Sequence, residues 1–245
     1  MLDKVLYTEL NPQEFKERLN KAPIAYLPLG TLEWHGKHLP LGTDGLISSG
    51  FFIELAKNVG GIVLPMLFLG PDTYENVEGE DYYGMDIESY PPNKAQKLLG
   101  SAYWVSEEFF KQILELILKQ LKRAGFQIVV AHGHAPSTLL FAKYVKEWQK
   151  EFGLDLHTCW KKGKLAKFGL QTDHAAANET SLMMALRPEL VNIRNLPSNV
   201  SEKPLGLMGK DPRKFANSDI GKQILNFNLN KMANFLKTKL EELFK

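Results

Sequence analysis

The chain has 245 residues, of which 44% are hydrophobic and 24% charged, with a formal net charge of +2. That is enough apolar material for one large domain with its own core, while the near-balanced charge and the lack of any membrane-length apolar run exclude a basic nucleic-acid binder and a bilayer-spanning protein. The single cysteine, Cys159, excludes an intrachain disulfide and a cysteine-rich zinc site, and fits a reducing cytoplasm.

Residues Met1 to Asn11 lack the basic-then-apolar layout of a secretory signal, so a cytoplasmic protein is expected. Asn11, Pro12 and Glu14 form a capping box that opens a short helix running to about Asn20. The apolar run Ile24 to Leu29, ending at Gly30, reads as a buried strand. A helix is expected from Leu46 to about Asn58, just after Asp44 and closed by Gly60 and Gly61, followed by a strand over Ile62 to Met66.

From Gly70 to Gly100 the periodicity breaks. Pro71, Gly79, Gly84, Pro91 and Pro92 interrupt a stretch crowded with acids and tyrosines, which predicts a long loop serving function or subunit contact. Ser106 then caps an amphipathic helix with Phe109, Ile113, Leu116, Ile117 and Leu121 on one face, stopped by Gly125. A strand over Ile128 to Ala131 leads straight into His132-Gly133-His134. A helix from about Ser137 to Phe152 and a strand from Leu154 to Trp160 follow. The densest positive patch, Lys161, Lys162, Lys164 and Lys167, reads as a solvated loop. Asn178 opens a helix that stops near Pro188, and a last helix from Ser218 carries the stripe Leu225, Leu229, Met232, Leu236, Leu240 and Leu243.

Strands alternating with helices predict an α/β fold: a three-layer α/β/α sandwich around a mostly parallel central sheet, as one domain over residues 1–245. Such sheets bind ligands beyond the carboxyl ends of their strands. The polar clusters fall there: Glu33 and His35 after the first strand, His132 and His134 after the third. Glu33 and His35 are two residues apart, so in extended backbone both side chains point the same way. Asp44, just before a helix, either caps it or turns inward as a ligand. Carboxylates and imidazoles together suit zinc, manganese or iron. His174 lies in a further polar segment, Asp173 to Ser181, which also contains Glu179.

These segments resemble the creatininase family. Gly30-Thr-Leu-Glu-Trp-His-Gly-Lys-His-Leu-Pro-Leu-Gly-Thr-Asp44 is similar to the family's Gly-Ser-x-Glu-Gln-His-Gly-Pro-His-Leu-Pro-Leu signature leading to Thr-Asp. His132-Gly133-His134 resembles its Asn-Gly-His turn, and Asp173-His174 through Glu179-Thr-Ser181 resembles its His-Ala-x-x-x-Glu-Thr segment. Gly209-Lys-Asp-Pro-Arg213, with Gly221 downstream, is similar to its C-terminal pattern.

The resemblance implies a metal-dependent amidohydrolase acting on a non-peptide C–N bond, with two divalent ions per chain and a water or hydroxide between them as nucleophile. Glu33 and His134 would bind the first ion, His35 the second, and Asp44 both. His174 would shuttle a proton to the leaving nitrogen, and Glu179 would act as a ligand or orient one. Trp34, His132 and Asp173 are the expected substrate contacts. A small-molecule amide is the expected partner, and a homo-oligomer, often a hexamer in the family, is the expected assembly; neither nucleic acid nor membrane is.

The departures lie around the expected pocket. Creatininase proper has a glutamate ligand two residues after the turn histidine, where this chain has Pro136. His132 replaces the usual Asn, Trp34 the Gln and Lys37 the Pro. Creatinine itself is therefore not the expected substrate. The alternatives are a deformylase-like member acting on a formylamino-pyrimidine nucleotide, with Lys37 or Arg123 serving a phosphate, and a catalytically silent relative that binds metal or a small ligand. His38 and His157 read as structural, and Trp104, Trp148 and Trp160 as core residues.

Overall fold

The structure is a computed structural model describing residues 4–88, 96–159 and 169–245. Trp160 and the lysines between 161 and 167 lie outside the described residues. Helix α1 (Pro12–Lys21) starts as its sequence dictates: the Asn11 side chain accepts from the Gln13 and Glu14 amides, and Glu14 accepts from the Asn11 amide. Asn11→Ala should lower stability by about 1 kcal/mol. Urea unfolding checks this, and an unchanged midpoint would mean that Pro12 alone fixes the helix start.

Strand β1 (Ile24–Leu29) is fully buried and pairs in parallel with β2 (Ile62–Val63). Regular pairing of β2 stops two residues in, short of the predicted Met66. Leu64 still donates to Tyr26, but the next amide to reach β1 is that of Leu67, three residues on, which donates to Pro28, so the alternation of the edge breaks across Pro65 and Met66. Helix α2 (Thr43–Val59) begins earlier than predicted, so Asp44 lies inside its first turn rather than before it.

The segment expected to be irregular contains a hairpin, β3 (Tyr74–Val77) and β4 (Glu80–Tyr83), followed by the short helix α3 (Met85–Glu88). Its turn residues Glu78 and Gly79 both have positive φ, 53° and 87°, as a tight two-residue hairpin requires. Glu-Gly is a weaker turn signal than Asn-Gly, and the hairpin is mostly exposed, so no buried alternation marks it.

Helix α4 (Glu107–Arg123) buries Phe110, Leu114, Leu118 and Leu121. The predicted face was rotated: Phe109 and Leu116 are 50% and 64% exposed. The apolar arc of this helix is wider than its contact, and the sheet covers only part of it. Strand β5 (Ile128–Gly133) pairs in parallel with β1 from Ile24–Ile128 to Leu29–Gly133, and β6 (Asp155–Thr158) pairs with β5, giving the order β2-β1-β5-β6. Helices α5 (Ala135–Phe152), α6 (Ala177–Leu186), α7 (Pro212–Phe215) and α8 (Ser218–Leu243) complete the chain.

Alternation along the strands builds the three layers. Ile24, Tyr26, Ile128 and Val130 face Phe51, Phe52 and Leu55 of α2, Leu182 of α6 and Leu236 of α8. Ala25, Leu27, Leu29, Val129 and Ala131 face Phe110, Leu114 and Leu118 of α4 and Phe141 and Trp148 of α5. The fold is thus the expected α/β/α sandwich with a parallel sheet. Among the described residues, no helix is long and apolar enough to cross a membrane.

Candidate metal centre

The paired carboxyl ends of β1 and β5 aim their following residues at one place. Gly133 has φ 145° and passes so close to β1 that a Cβ would lie 1.6 Å from the Leu29 oxygen. The next amide, that of His134, donates to the same oxygen at 3.0 Å. His134 therefore emerges beside the loop that carries Glu33. That loop is held by Glu33 N–H to Leu41 C=O at 3.0 Å and Trp34 N–H to Ser101 Oγ at 3.0 Å. The first turn of α2 supplies Asp44, and the start of α6 supplies Glu179.

Two sets of potential ligand atoms each gather within 4.8 Å: Glu33, Asp44 and His134 in one, His35, Asp44 and Glu179 in the other. Asp44 belongs to both. A third grouping joins Glu33, His35 and His174. His35 is fully buried. Its Nδ1 lies 3.0 Å from the Glu33 carbonyl, which can only accept, so Nδ1 donates. Nε2 then faces Asp44 Oδ2 at 3.6 Å and Glu179 Oε2 at 3.7 Å. Neither Nε2 nor Asp44 Oδ2 has a hydrogen-bond partner. A buried imidazole nitrogen and a buried carboxylate oxygen left this way are costly unless a cation lies between them. The donor set is of the kind that holds zinc, manganese or iron, so the residues present fit a pair of divalent ions.

The electrostatics express the same demand. Burial disfavours charge on His35, yet Asp44, Glu179 and Glu33 together push it up to about 10. Burial likewise opposes charge on Asp44, but His35 holds it well below the usual carboxylate range. Glu33 is raised by burial against the pull of His134 and His35, and Glu179 by burial and by Asp44. Burial opposes charge on these crowded acids and imidazoles, while their neighbours of opposite sign favour it.

His174 packs against His35, with ring centroids 4.2 Å apart and the planes tilted by 36°. Its Nε2 is 2.8 Å from the Trp34 carbonyl, so that nitrogen carries the proton, and Nδ1 lies 3.8 Å from Glu33 Oε2. Burial, then the neighbouring His35, pushes it down to about 3, leaving a neutral ring.

The residues expected to contact substrate, Trp34, Asp173 and His132, each sit in a different setting. The Trp34 indole N–H donates to the Leu205 carbonyl at 3.2 Å, and the side chain is not part of the cavity wall. Asp173 borders the cavity, but its carboxylate accepts from the Asn178 and Glu179 amides and so caps α6. His132 is fully buried on the α2 side of the sheet, edge-on to Phe51, and belongs to neither ligand set. His38 hydrogen-bonds Thr180, as a structural residue would. His157 is only half-buried rather than a core residue; it pairs with Asp155 at 2.8 Å and packs on Phe235. Burial raises the Cys159 thiol, which keeps it protonated. Trp148 is in the core, whereas Trp104 packs between Tyr83 and His134.

Three contributors carry no sequence signal. Gln171 donates to Asp44 Oδ1 at 2.8 Å. The Met85 amide donates to Glu33 Oε1 at 3.2 Å. Asp72, from the segment read as loop, places Oδ2 3.1 Å from His134 Nε2. A cavity of about 880 Å³ opens onto these groups, walled further out by Met85, Leu139, Phe227 and Lys231. Neither Lys37 nor Arg123 borders it; Arg123 bonds Gln120 on its own helix.

A family model described as creatininase, creatinine amidohydrolase, matches residues 8–233. The chain is 25% identical over 213 residues to creatinine amidohydrolase of Pseudomonas putida, covering 79% of this chain and 76% of that one. A crystal structure of creatinine amidohydrolase superposes with TM-score 0.72 at 20% identity, covering 96% of this chain and 97% of the other. A zinc–zinc form of a glutamate-to-glutamine creatininase mutant and a manganese form of creatininase superpose at 0.71 and 0.69, each 20% identical, with 96% of this chain and 98% of theirs covered.

Proposed function

Because this chain belongs to the creatininase (creatinine amidohydrolase) family, we propose that it is a metal-dependent amidohydrolase of a non-peptide C–N bond, working as one domain over residues 1–245. The observation that carries this reading is Asp44, shared by two ligand sets, with its Oδ2 turned without a partner toward an equally unpartnered His35 Nε2. Glu33, Asp44 and His134 would hold one divalent ion, and His35, Asp44 and Glu179 the other. Zinc and manganese, named for relatives of known structure, suit these donors, as does iron. Such ions polarise a carbonyl and bring the pKa of water toward neutrality.

The chain's own residues do the rest. Glu179 supplies the second carboxylate that Pro136 cannot. Gln171 and the Met85 amide orient Asp44 and Glu33, as partners behind metal ligands generally do. The Trp34 carbonyl fixes the proton of His174 on Nε2 and leaves Nδ1 with a lone pair facing the site. His174 Nδ1 is thus placed to take a proton and pass it to the departing nitrogen.

The substrate is a small amide. The cavity is roomier than a single five-membered ring needs, and Lys231 on its wall favours, as a second reading, an anionic substrate such as a formylamino-pyrimidine nucleotide. The exposed Tyr74 and Val77 on the β3–β4 hairpin, with Leu99 and Tyr103 beyond it, support self-association into a homo-oligomer. The composition supports a cytoplasmic setting.

Purified protein is expected to contain about two divalent ions per chain by elemental analysis. Chelation should abolish turnover of a panel of cyclic and N-formyl amides, and added zinc or manganese should restore it. Protein that holds no metal after gentle purification and turns over no amide with metal supplied would instead be a silent relative.

A further inference from the structure

Asp72 lies outside the segments on which the resemblance to the family rests, yet it reaches the centre. Its side chain is 8% exposed, and Oδ2 lies 3.1 Å from His134 Nε2. The same nitrogen lies 3.7 Å from Glu33 Oε2. A Cβ at Gly84 would be 2.6 Å from both Asp72 Oδ2 and Glu33 Oε1, so the missing side chain at Gly84 leaves room for both carboxylates. We propose that Asp72 is a fourth protein ligand of the cation held by Glu33, Asp44 and His134, an inference that rests on the metal-dependent reading above.

Three arguments support it. The first is a conflict over one nitrogen. For Asp72 merely to accept a hydrogen bond from His134, Nε2 must carry the ring proton, and a protonated nitrogen cannot bind metal. The alternative tautomer puts the proton on Nδ1, which has an acceptor of its own, Ser137 Oγ at 3.3 Å. Nε2 then offers its lone pair to a cation, and the adjacent Asp72 oxygen faces that cation too.

The second is spacing. Two ligands bonded to one ion at about 2.0–2.2 Å stand about 3 to 3.5 Å apart, and the Asp72–His134 separation falls in that range. The third is charge. Glu33, Asp44, Asp72 and Glu179 carry four negative charges when ionised, which balances two divalent cations with a neutral water, in a buried site where net charge is costly.

The test uses full-length apo-protein titrated with zinc in a calorimeter and, separately, loaded with cobalt(II) as a spectroscopic probe. Asp72→Asn keeps the shape of the side chain and Asp72→Ala removes it; far-UV circular dichroism confirms that each variant is folded. The expected result is that one of the two zinc-binding events weakens more than tenfold in both variants while the other is unchanged, and that the cobalt d–d absorption of the affected site shifts. If both variants bind two zinc ions as tightly as the unaltered protein, Asp72 is not a ligand. Weakened zinc binding with an unchanged cobalt spectrum overturns the proposal as well, because it makes Asp72 only a support for His134. Failure of the unaltered protein to bind zinc or cobalt would sink the metal-dependent reading itself, an outcome distinct from either.

Discussion

Asp44→Asn is expected to reduce the metal content from about two ions per chain to one or none, and to lower turnover by about a thousandfold or more, equivalent to about 4 kcal/mol of transition-state stabilisation. The size of the effect follows from position. Asp44 belongs to both ligand sets, so one change reaches both ions. Its Oδ1 accepts from Gln171 while Oδ2 faces His35 Nε2. An asparagine can keep the first contact through its oxygen but presents a neutral amide to the second. The fold should survive, because the residue stays at the start of α2 and remains hydrogen-bonded. Elemental analysis, steady-state turnover and circular dichroism read the three quantities. Two tightly held ions in the Asp44→Asn protein would refute the shared carboxylate. Glu33→Gln offers a useful contrast: it belongs to the set with His134, and the His35–Glu179 pair should keep its ion.

Gly133→Ala should be among the most damaging single methyls at the described glycines, lowering stability by about 3 kcal/mol or more. The added carbon would lie 1.6 Å from the Leu29 oxygen, a backbone atom that cannot swing aside. The residue's φ of 145° adds strain that an alanine tolerates poorly. Backbone strain and overpacking each cost about 1–3 kcal/mol, and relief requires parting the ends of β1 and β5. That movement would carry His134 away from Glu33, so metal affinity should fall together with stability. Gly79→Ala is the control. Gly79 also has positive φ, 87°, but a Cβ there meets nothing within 4 Å, so a loss of only about 1–2 kcal/mol is expected. Urea unfolding of the two variants compares them, and equal losses would show that conformation rather than the close strand approach governs Gly133.

Local rules read the framework well. The capping box at Asn11, the apolar run of β1 and the strand leading into His132-Gly133-His134 all appear where sequence places them, because each depends on neighbours in the chain. Errors arise where a distant partner decides. On α4 the apolar residues span a wide arc, and the sheet selects Phe110 and Leu118 over Phe109 and Leu116. The β3–β4 hairpin is missed because an exposed ribbon buries no alternating face. The placement of Trp34 is likewise tertiary: its indole N–H donates to Leu205, a residue far away in the chain.

The residue types of the centre, and their placement after strand ends, are legible in the chain itself: Glu33 and His35 share a direction because extended backbone alternates, and His134 follows a strand. Their convergence is tertiary. It requires β1 and β5 to be neighbours in parallel register and α2 and α6 to bring Asp44 and Glu179 over the same edge. Asp72 and Gln171 belong entirely to that second category, since neither has a motif and each matters only through an atom of a residue dozens of positions away. Sequence determines which groups can bind a cation, because that is a property of side-chain chemistry; only the folded chain decides which of them share one, because coordination depends on separations of a few ångströms.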